Sequence, residues 1–550
     1  MKKRFVAMML TMALAVSLFA VGCGNNDGNV ANDPDPVETE DPNGNDDSEA
    51  AGTEEPATAD DVDDGDVTTI SIWFMGGAVE DDSAVVEAAN ARLRELGVNV
   101  AINPIWTGGW GMNEAAQTAL DTGDTSVDIV WTGSWGLNFW TNARVGNFVR
   151  LDNPDNDLLA GYGQDIKGAV PQELWNAFTT EGPSGFGVYG IPGYKDYAQM
   201  YTWDVNVTRL EELGFDFDDL FDMDGLNYDV FFSPEFEEAL AAAKDMYGDT
   251  FYPLSVEPES FVRMVSNADF DLTGLHVFHL GFDPSNPSQP ENPTIGLNLE
   301  NDRYLQVLDR LHYFWEQGFI DPRLAIPGES SDVFMASRNA GDYLFSHTVY
   351  AYGHSASAAA QRGIDVRFPR MSEPIVSSVS AAGSGFGISV YSRNPEAAMQ
   401  FMNAWYTDTE LAVILNDGVE GIHWNYDDDG LIVLDHDARA AYSPWRFGMG
   451  NIFVLNPRDT DGDGYFERFQ AYNAAGVGTA LLGFTFNGDA VSAEMAAVLG
   501  VVDQFHQSVS VGALNPADAV SDYLEALRAN GVERILEEFN AQLQEFYANR

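Results

Sequence analysis

Val127-Asp-Ile-Val-Trp-Thr-Gly-Ser-Trp-Gly136, continued by Leu137-Asn-Phe-Trp-Thr-Asn-Ala143 and Gly146-Asn-Phe-Val-Arg-Leu-Asp152, decides how the chain is read. Its first residues predict a buried strand, because Val127, Ile129 and Val130 are β-branched and apolar and have turn formers on both sides. The strand stops at Trp131-Thr-Gly-Ser-Trp135. In an open α/β sheet a ligand sits just beyond the carboxyl ends of the strands, so Ser134 and Trp135 fall at a ligand position. A short helix is expected over Leu137 to Ala143. Core packing explains Trp131 and Trp140 as well as ligand contact does. Trp135, behind a glycine and a serine, is expected to face a ligand.

The neighbouring sequence repeats this alternation. Val67 to Phe74 predicts a first strand, and Val85 to Leu96 a helix with Ser83 before it and Gly97 after it. Val98 to Ile105 predicts a second strand, followed by Trp106-Thr-Gly-Gly-Trp110 and a helix through Leu120. Strand, helix, strand, helix, strand opens a doubly wound α/β domain. Farther on, helices are expected at Pro234 to Tyr247, at Asn301 to Gln317 and from Ser392 to Trp405. Pro516 to Tyr547 predicts another, interrupted at Gly531. Strands are expected at Asp342 to Tyr352 and Val376 to Tyr391. His276 and His279 lie three apart on a strand-like run, hence on opposite faces, and are read as packing residues rather than metal ligands.

The N-terminus is of another kind. Lys2, Lys3 and Arg4 precede an apolar run from Phe5 to Val21, the pattern of a secretory signal, expected over residues 1–22. Cys23, directly behind it, is the single cysteine, so no intramolecular disulfide can form. Its position marks it as a lipid attachment point. From Gly24 to Asp66 the chain is acidic, low in complexity and without an aromatic residue, so residues 23–66 are expected to be a disordered tether. The formal net charge of −59 argues against nucleic acid and anionic lipid headgroups as direct partners.

Asp128-Ile-Val-Trp-Thr-Gly-Ser-Trp135, followed by Gly146-Asn-Phe-Val-Arg-Leu-Asp152, resembles the extracellular solute-binding lipoproteins of bacterial ABC importers, in the sugar-type, LipO-like branch of Gram-positive bacteria. Ala20-Val-Gly-Cys23 is close to a lipobox. Pro171-Gln-Glu-Leu-Trp175, Gly187-Val-Tyr-Gly-Ile-Pro192, Ser392-Arg-Asn-Pro-Glu-Ala-Ala-Met399 and Leu415-Asn-Asp-Gly-Val-Glu-Gly-Ile-His-Trp424 extend the resemblance in order along the chain. It implies a two-lobed, type II periplasmic-binding-protein-like α/β fold with a ligand cleft between lobes joined by a hinge near Ile191 to Tyr201. The expected partition is 67–195 in the first lobe, 196–340 in the second, 341–390 returning to the first and 391–550 completing the second. The implied function is non-enzymatic: an extracellular protein, held to the membrane through a lipid on Cys23, captures a carbohydrate, most simply an oligosaccharide, and hands it to an ABC permease.

Sugars are bound by flat aromatic faces together with a few carboxylates, amides and hydroxyls. Aromatic residues at expected loop ends are Trp106, Trp110, Trp135, Tyr194, Trp203 and Trp424, with Ser134, Asp196, Glu420, His423 and Asn425 as polar companions. Separately, Asp459-Thr-Asp-Gly-Asp-Gly-Tyr-Phe-Glu467 matches the first part of a calcium loop, with Asp459, Asp461, Asp463, Tyr465 and Glu467 as candidate ligands. The usual glutamate at the twelfth position is Gln470, and an acidic surface turn is the competing reading. No cofactor is required, and calcium here would be structural. No nucleophile elbow, phosphate loop or His-Glu-x-x-His helix is present in the sequence. The alternatives are a surface carbohydrate-active enzyme and a same-fold binding protein for peptides or another polar solute.

Overall fold

The computed structural model describes residues 67–106, 111–258, 260–266, 275–280, 294–350, 352 and 362–548. The expected signal segment, Cys23, the tether and Trp110 lie outside them. Eight strands carry the architecture: β1 (Thr68–Phe74), β2 (Val100–Trp106), β3 (Ile129–Thr132), β4 (Ile191–Pro192), β5 (Met200–Asn206), β6 (Phe345–Tyr350), β7 (Val366–Arg367) and β8 (Gly385–Ile388).

The first sheet has the order β2-β1-β3-β8-β4. β1 runs parallel to β2 and to β3, with Ile72 opposite Pro104 on one side and Ile129 on the other. β8 is antiparallel to both β3 and β4, so β4 runs in the same direction as β1, β2 and β3. Four strands therefore deliver their carboxyl ends to one edge. Alternation explains β1, whose Ile70, Ile72 and Phe74 are fully buried. β3 is buried at all four residues because it is covered on both faces. α1 (Ser83–Glu95) packs through Val85, Ala89 and Leu93, spaced four apart on one helix face. α2 (Gly111–Asp121) and α3 (Phe139–Val145) follow β2 and β3. The Asn138 side chain caps α3 by accepting from the Thr141 amide at 2.9 Å, and Gly146 ends it in a left-handed conformation.

A second, antiparallel sheet has the order β6-β5-β7. It shares a separate aromatic-rich core with α4 (Pro234–Tyr247) and α5 (Asp302–Glu316). Ala398, Met399, Phe401, Met402 and Trp405 of α7 (Pro395–Thr407), and Leu411 and Leu415 of α8 (Thr409–Asp417), are buried in the first core, as is Phe469 of α9 (Tyr465–Ala474). α10 (Ser492–Ser510), α11 (Pro516–Ala529) and α12 (Val532–Ala548) complete the second core.

The partition thus differs from the one read off the sequence. The described residues 345–350 and 366–371 stay with the second core, since β6 and β7 pair with β5, whereas Tyr352 packs on the first core and residues 391–474 belong with it. The expected strand from Val376 is also shorter. Ser377 and Ser380 form a reciprocal capping box that starts the helical turn α6 (Ser378–Ala381), and pairing resumes only at Gly385.

Among the described residues the chain passes between the cores at Ala198 to Tyr201, Ile375 to Val376 and Phe469 to Ala480. These passages lie side by side. Gln199 and Ile375 exchange backbone hydrogen bonds of 2.9 and 2.7 Å, and Val477 donates to the Pro374 carbonyl at 3.0 Å. Asn473 ties them together. Its Oδ1 accepts from the Tyr197 and Ala198 amides, and its Nδ2 donates to the Lys195 carbonyl at 2.8 Å. The first passage falls within the segment expected to be a hinge. Among the described residues no helix is long and apolar enough to cross a membrane.

Candidate functional site

The carboxyl edge of the first sheet is finished by backbone that cannot carry bulk. β1 runs out into Met75-Gly76-Gly77. Gly77 has φ +88°, and a Cβ there would lie 2.7 Å from the Pro444 Cα, so Ser443-Pro444-Trp445 rests directly on the glycine pair. This contact sets the Trp445 ring over the strand end.

β3 presents the central aromatic group. Beyond Thr132 the loop turns sharply, with Leu137 at a positive φ of 36°. The α6 turn clamps it. The Ser134 amide donates to the Ala382 carbonyl at 2.8 Å, and Ser134 Oγ to the Val379 carbonyl at 2.8 Å. Trp135 Nε1 donates to the Gly383 carbonyl at 2.6 Å, and Trp131 Nε1 to Ser384 Oγ at 2.8 Å. The Trp135 ring lies 4.9 Å from Trp131 and 5.7 Å from Trp445, at 76° to the latter. Trp131 is fully buried, whereas Trp135 keeps 43% of its surface exposed. With its N–H bonded inside the protein, the exposed part of Trp135 is an apolar ring surface of the kind that meets the C–H face of a sugar. Trp106, at the end of β2, stacks on Phe74 at 4.5 Å and donates through Nε1 to Asp82 at 2.9 Å.

β4 leads through Gly193 into Tyr194-Lys195-Asp196. Lys195 Nζ meets Asp196 Oδ1 at 2.6 Å, and both residues are buried. The ammonium lies beside Gly383, whose carbonyl holds Trp135. Tyr465 and Tyr472 stand within the field of the Asp196 carboxylate; burial above all, with a smaller push from that charge, lifts the Tyr465 hydroxyl to about 12. Tyr194 packs on Phe453 at 4.4 Å, and burial raises its pKa. Trp106, Ser134, Trp135, Tyr194 and Asp196 thus share one sheet edge, next to the hinge passages.

The remaining expected site residues lie elsewhere. Trp203 is wholly buried in the second core between Phe231 and Phe236, its Nε1 bonded to the Asn227 carbonyl at 2.9 Å. β5 turns it inward, so it is a packing residue. Glu420, His423, Trp424 and Asn425 form a helix-ending turn. Trp424 Nε1 donates to the Gly418 carbonyl at 2.9 Å, His423 Nδ1 accepts from the Val419 amide at 3.0 Å, and burial lowers the His423 pKa. Trp424 and Glu420 line a separate concavity of about 740 Å³ beside α1 and α8, while Asn425 is exposed on the hairpin that follows. The motif's spacing is that of a turn closing α8, and it lies away from the Trp135 edge.

The acidic loop is also organised otherwise than expected. Arg446 engages both oxygens of Asp461, at 3.1 and 3.2 Å, and the Arg458 amide donates to the same carboxylate at 2.9 Å. Asp459, Asp463 and Glu467 are exposed, and Tyr465 begins α9. Among the described residues no group of three or more His, Cys, Asp or Glu side chains is placed to hold a metal ion. A guanidinium occupies the carboxylate that the third position of a calcium loop would supply.

Three participants escaped the sequence reading. Trp445 lies between short turns without periodicity, the 378–384 turn falls inside a long expected strand, and Lys195, one of three lysines after residue 3, stands between two of the expected site residues without being one itself. Its rarity in so acidic a chain was the available signal.

Residues 480–548 match a family model described as a domain of unknown function, DUF3502. Over 504 residues the chain is 23% identical to a carbohydrate ABC transporter substrate-binding protein of Streptococcus pneumoniae, covering 89% of this chain and 93% of that protein. It superposes on the N-glycan transport solute-binding protein NgtS of S. pneumoniae with a TM-score of 0.71 at 20% identity, covering 88% and 99% of the two chains. It superposes on the S. pneumoniae ABC-transporter substrate-binding protein FusA, solved with kestose, with a TM-score of 0.56 at 14% identity, covering 88% and 100%. The fold is that of the type II solute-binding proteins.

Proposed function

We propose that this chain, which has the type II solute-binding fold and is similar along most of its length to a carbohydrate ABC transporter substrate-binding protein, is itself an extracellular binding protein that captures an oligosaccharide and delivers it to an ABC importer. The supporting observation is the Trp135 ring, exposed at the sheet edge yet fixed by Trp131, Trp445 and the Gly383 carbonyl. A rigid aromatic face loses little entropy on stacking against a sugar. The neighbouring hinge passages let the second lobe close over the same edge. Binding leaves the glycan intact, and transport is driven by a separate ATPase. Cys23 carries a lipid that keeps the protein at the outer membrane face; Cys23→Ser is expected to release it from the membrane fraction into the medium.

A thermal-shift series against manno-, gluco- and fructo-oligosaccharides, monosaccharides and peptides tests the reading. At about a hundred times its Kd, a ligand of the folded state adds roughly 2.7 kcal/mol. A shift with one glycan class, the glycan being recovered unaltered, is the expected result. Shifts with peptides alone, or consumption of the glycan, would overturn it. In the same series EDTA is expected to leave the transition unmoved, since Asp461 is held by Arg446.

A further inference from the structure

We infer that the buried Lys195–Asp196 pair sets the charge specificity of the Trp135 site, making it select neutral glycans and reject those bearing uronate or other anionic groups. The inference rests on the carbohydrate reading above and specifies its substrate class.

The argument begins with what the sheet edge offers a charged ligand. Lys195 is the lysine that emerges there, and its Nζ is already 2.6 Å from Asp196 Oδ1. Both side chains are more than nine-tenths buried, so neither is neutralised by water alone. The Asn473 amide holds the Lys195 carbonyl, and the ammonium lies beside Gly383, whose carbonyl anchors Trp135. The other cations nearby are also engaged. Arg446, on the Trp445 segment, is paired with Asp461, and Arg468 of α9 donates to the Tyr352 hydroxyl at 2.7 Å. On the β1 and β2 side stand Asp81 and Asp82, the latter taking the Trp106 N–H. Tyr465 and Tyr472, packed from α9, are neutral.

Lys195, Arg446 and Arg468 against Asp81, Asp82, Asp196 and Asp461 leave a net negative charge around this edge, and Arg468, whose partner is a neutral hydroxyl, is exposed to water on α9. A uronate entering here would shed its hydration and meet a lysine whose charge is already spent on Asp196. A neutral sugar loses nothing comparable, and its hydroxyls can both donate to Asp196 and accept from Lys195. The pair thus offers a donor and an acceptor in fixed geometry without a net field. Removing the carboxylate alone reverses this: it leaves a buried, uncompensated ammonium at the ligand position, which favours an anionic partner.

The test uses calorimetric titration of the full chain with neutral manno-, gluco- and fructo-oligosaccharides and with oligogalacturonates and oligoalginates of matched length, at low and at high salt. The wild type is expected to bind one neutral series and to bind the uronates at least a hundredfold more weakly. Asp196→Asn is expected to lose about tenfold for the neutral glycan and to gain at least tenfold for uronates, a gain that shrinks as salt is raised. Lys195→Met/Asp196→Asn is expected to show no such gain. Uronate binding by the wild type as tight as neutral binding would overturn the inference, whether or not the variants fold. So would an Asp196→Asn protein, folded by its thermal transition, that acquires no affinity for uronates. If the wild type binds no saccharide of either series, the carbohydrate reading itself falls, a result distinct from a glycan-binding protein with the wrong charge preference.

Discussion

Two tryptophans separate the contributions of single residues. Trp135 is partly exposed and surrounded by bonded backbone, whereas Trp203 is sealed among phenylalanines. Trp135→Ala is expected to weaken glycan binding by about 2 kcal/mol, roughly thirtyfold in Kd, while costing about 1 kcal/mol or less of stability. Trp203→Ala should do the opposite, destabilising the fold by about 3–5 kcal/mol with the Kd of the remaining folded protein unchanged. Titration and denaturant unfolding of both variants check the contrast. The sequence made Trp135 legible because a strand end followed by Gly-Ser leaves a side chain few places to go. It misplaced Trp203 because that residue was expected at a loop end, whereas Met200–Asn206 form β5 and bury the ring in the second core. Trp424, also expected at a loop end, is folded into the turn behind α8 with its N–H on the Gly418 carbonyl.

At the scale of elements, long helices were readable and short pieces were not. Pro234 to Tyr247 is recovered residue for residue, its start marked by Ser233 and Pro234. Gly531, at φ +95°, divides the C-terminal helical region as expected. On α5 the buried seam is Tyr304, Val307, Leu308, Leu311 and Phe314, with Leu305 and Trp315 at its margin. The α6 turn was missed because four residues carry too little pattern. The hinge passages give an element-scale prediction. Asn473→Ala removes partners from Lys195, Tyr197 and Ala198 at once and is expected to cost about 2–4 kcal/mol in denaturant unfolding. β6 gives another through His347. Burial above all, helped by the Arg338 charge, lowers its pKa to about 3. The folded state keeps it neutral while the unfolded chain protonates it near its ordinary value, so unfolding takes up a proton between those two pH values. Its contribution is intact at neutral pH and is lost as pH falls below about 6.5. Near pH 5, His347→Gln should reduce the slope of stability against pH by about 1.4 kcal/mol per unit relative to the wild type.

For the whole molecule, charge and closure are the governing quantities. A formal charge of −59 is mutual repulsion that salt screens, so the thermal transition is expected to rise between 10 mM and 500 mM sodium chloride. Differential scanning calorimetry reads this directly, and a falling transition would show that attractive pairs such as Arg92–Asp408 outweigh the repulsion. Addition of the bound glycan should reduce the radius of gyration in small-angle scattering, as two bodies joined by adjacent passages close.

Those passages also govern the order in which the molecule can come into being. β8 lies between β3 and β4, yet Ser384, at its start, is 253 residues downstream of its partner Trp131. As the chain grows, β3 and β4 have no neighbour on their shared side until more than two-thirds of it has emerged. The second body in turn waits for its final helices. Neither half can mature as an independent N-terminal unit, so acquisition of structure is concerted and late, and dominated by distant contacts. A nascent chain halted before β8 presents two unpaired strand edges, and one halted before α10 leaves the apolar face of α5 uncovered by α10 and α11.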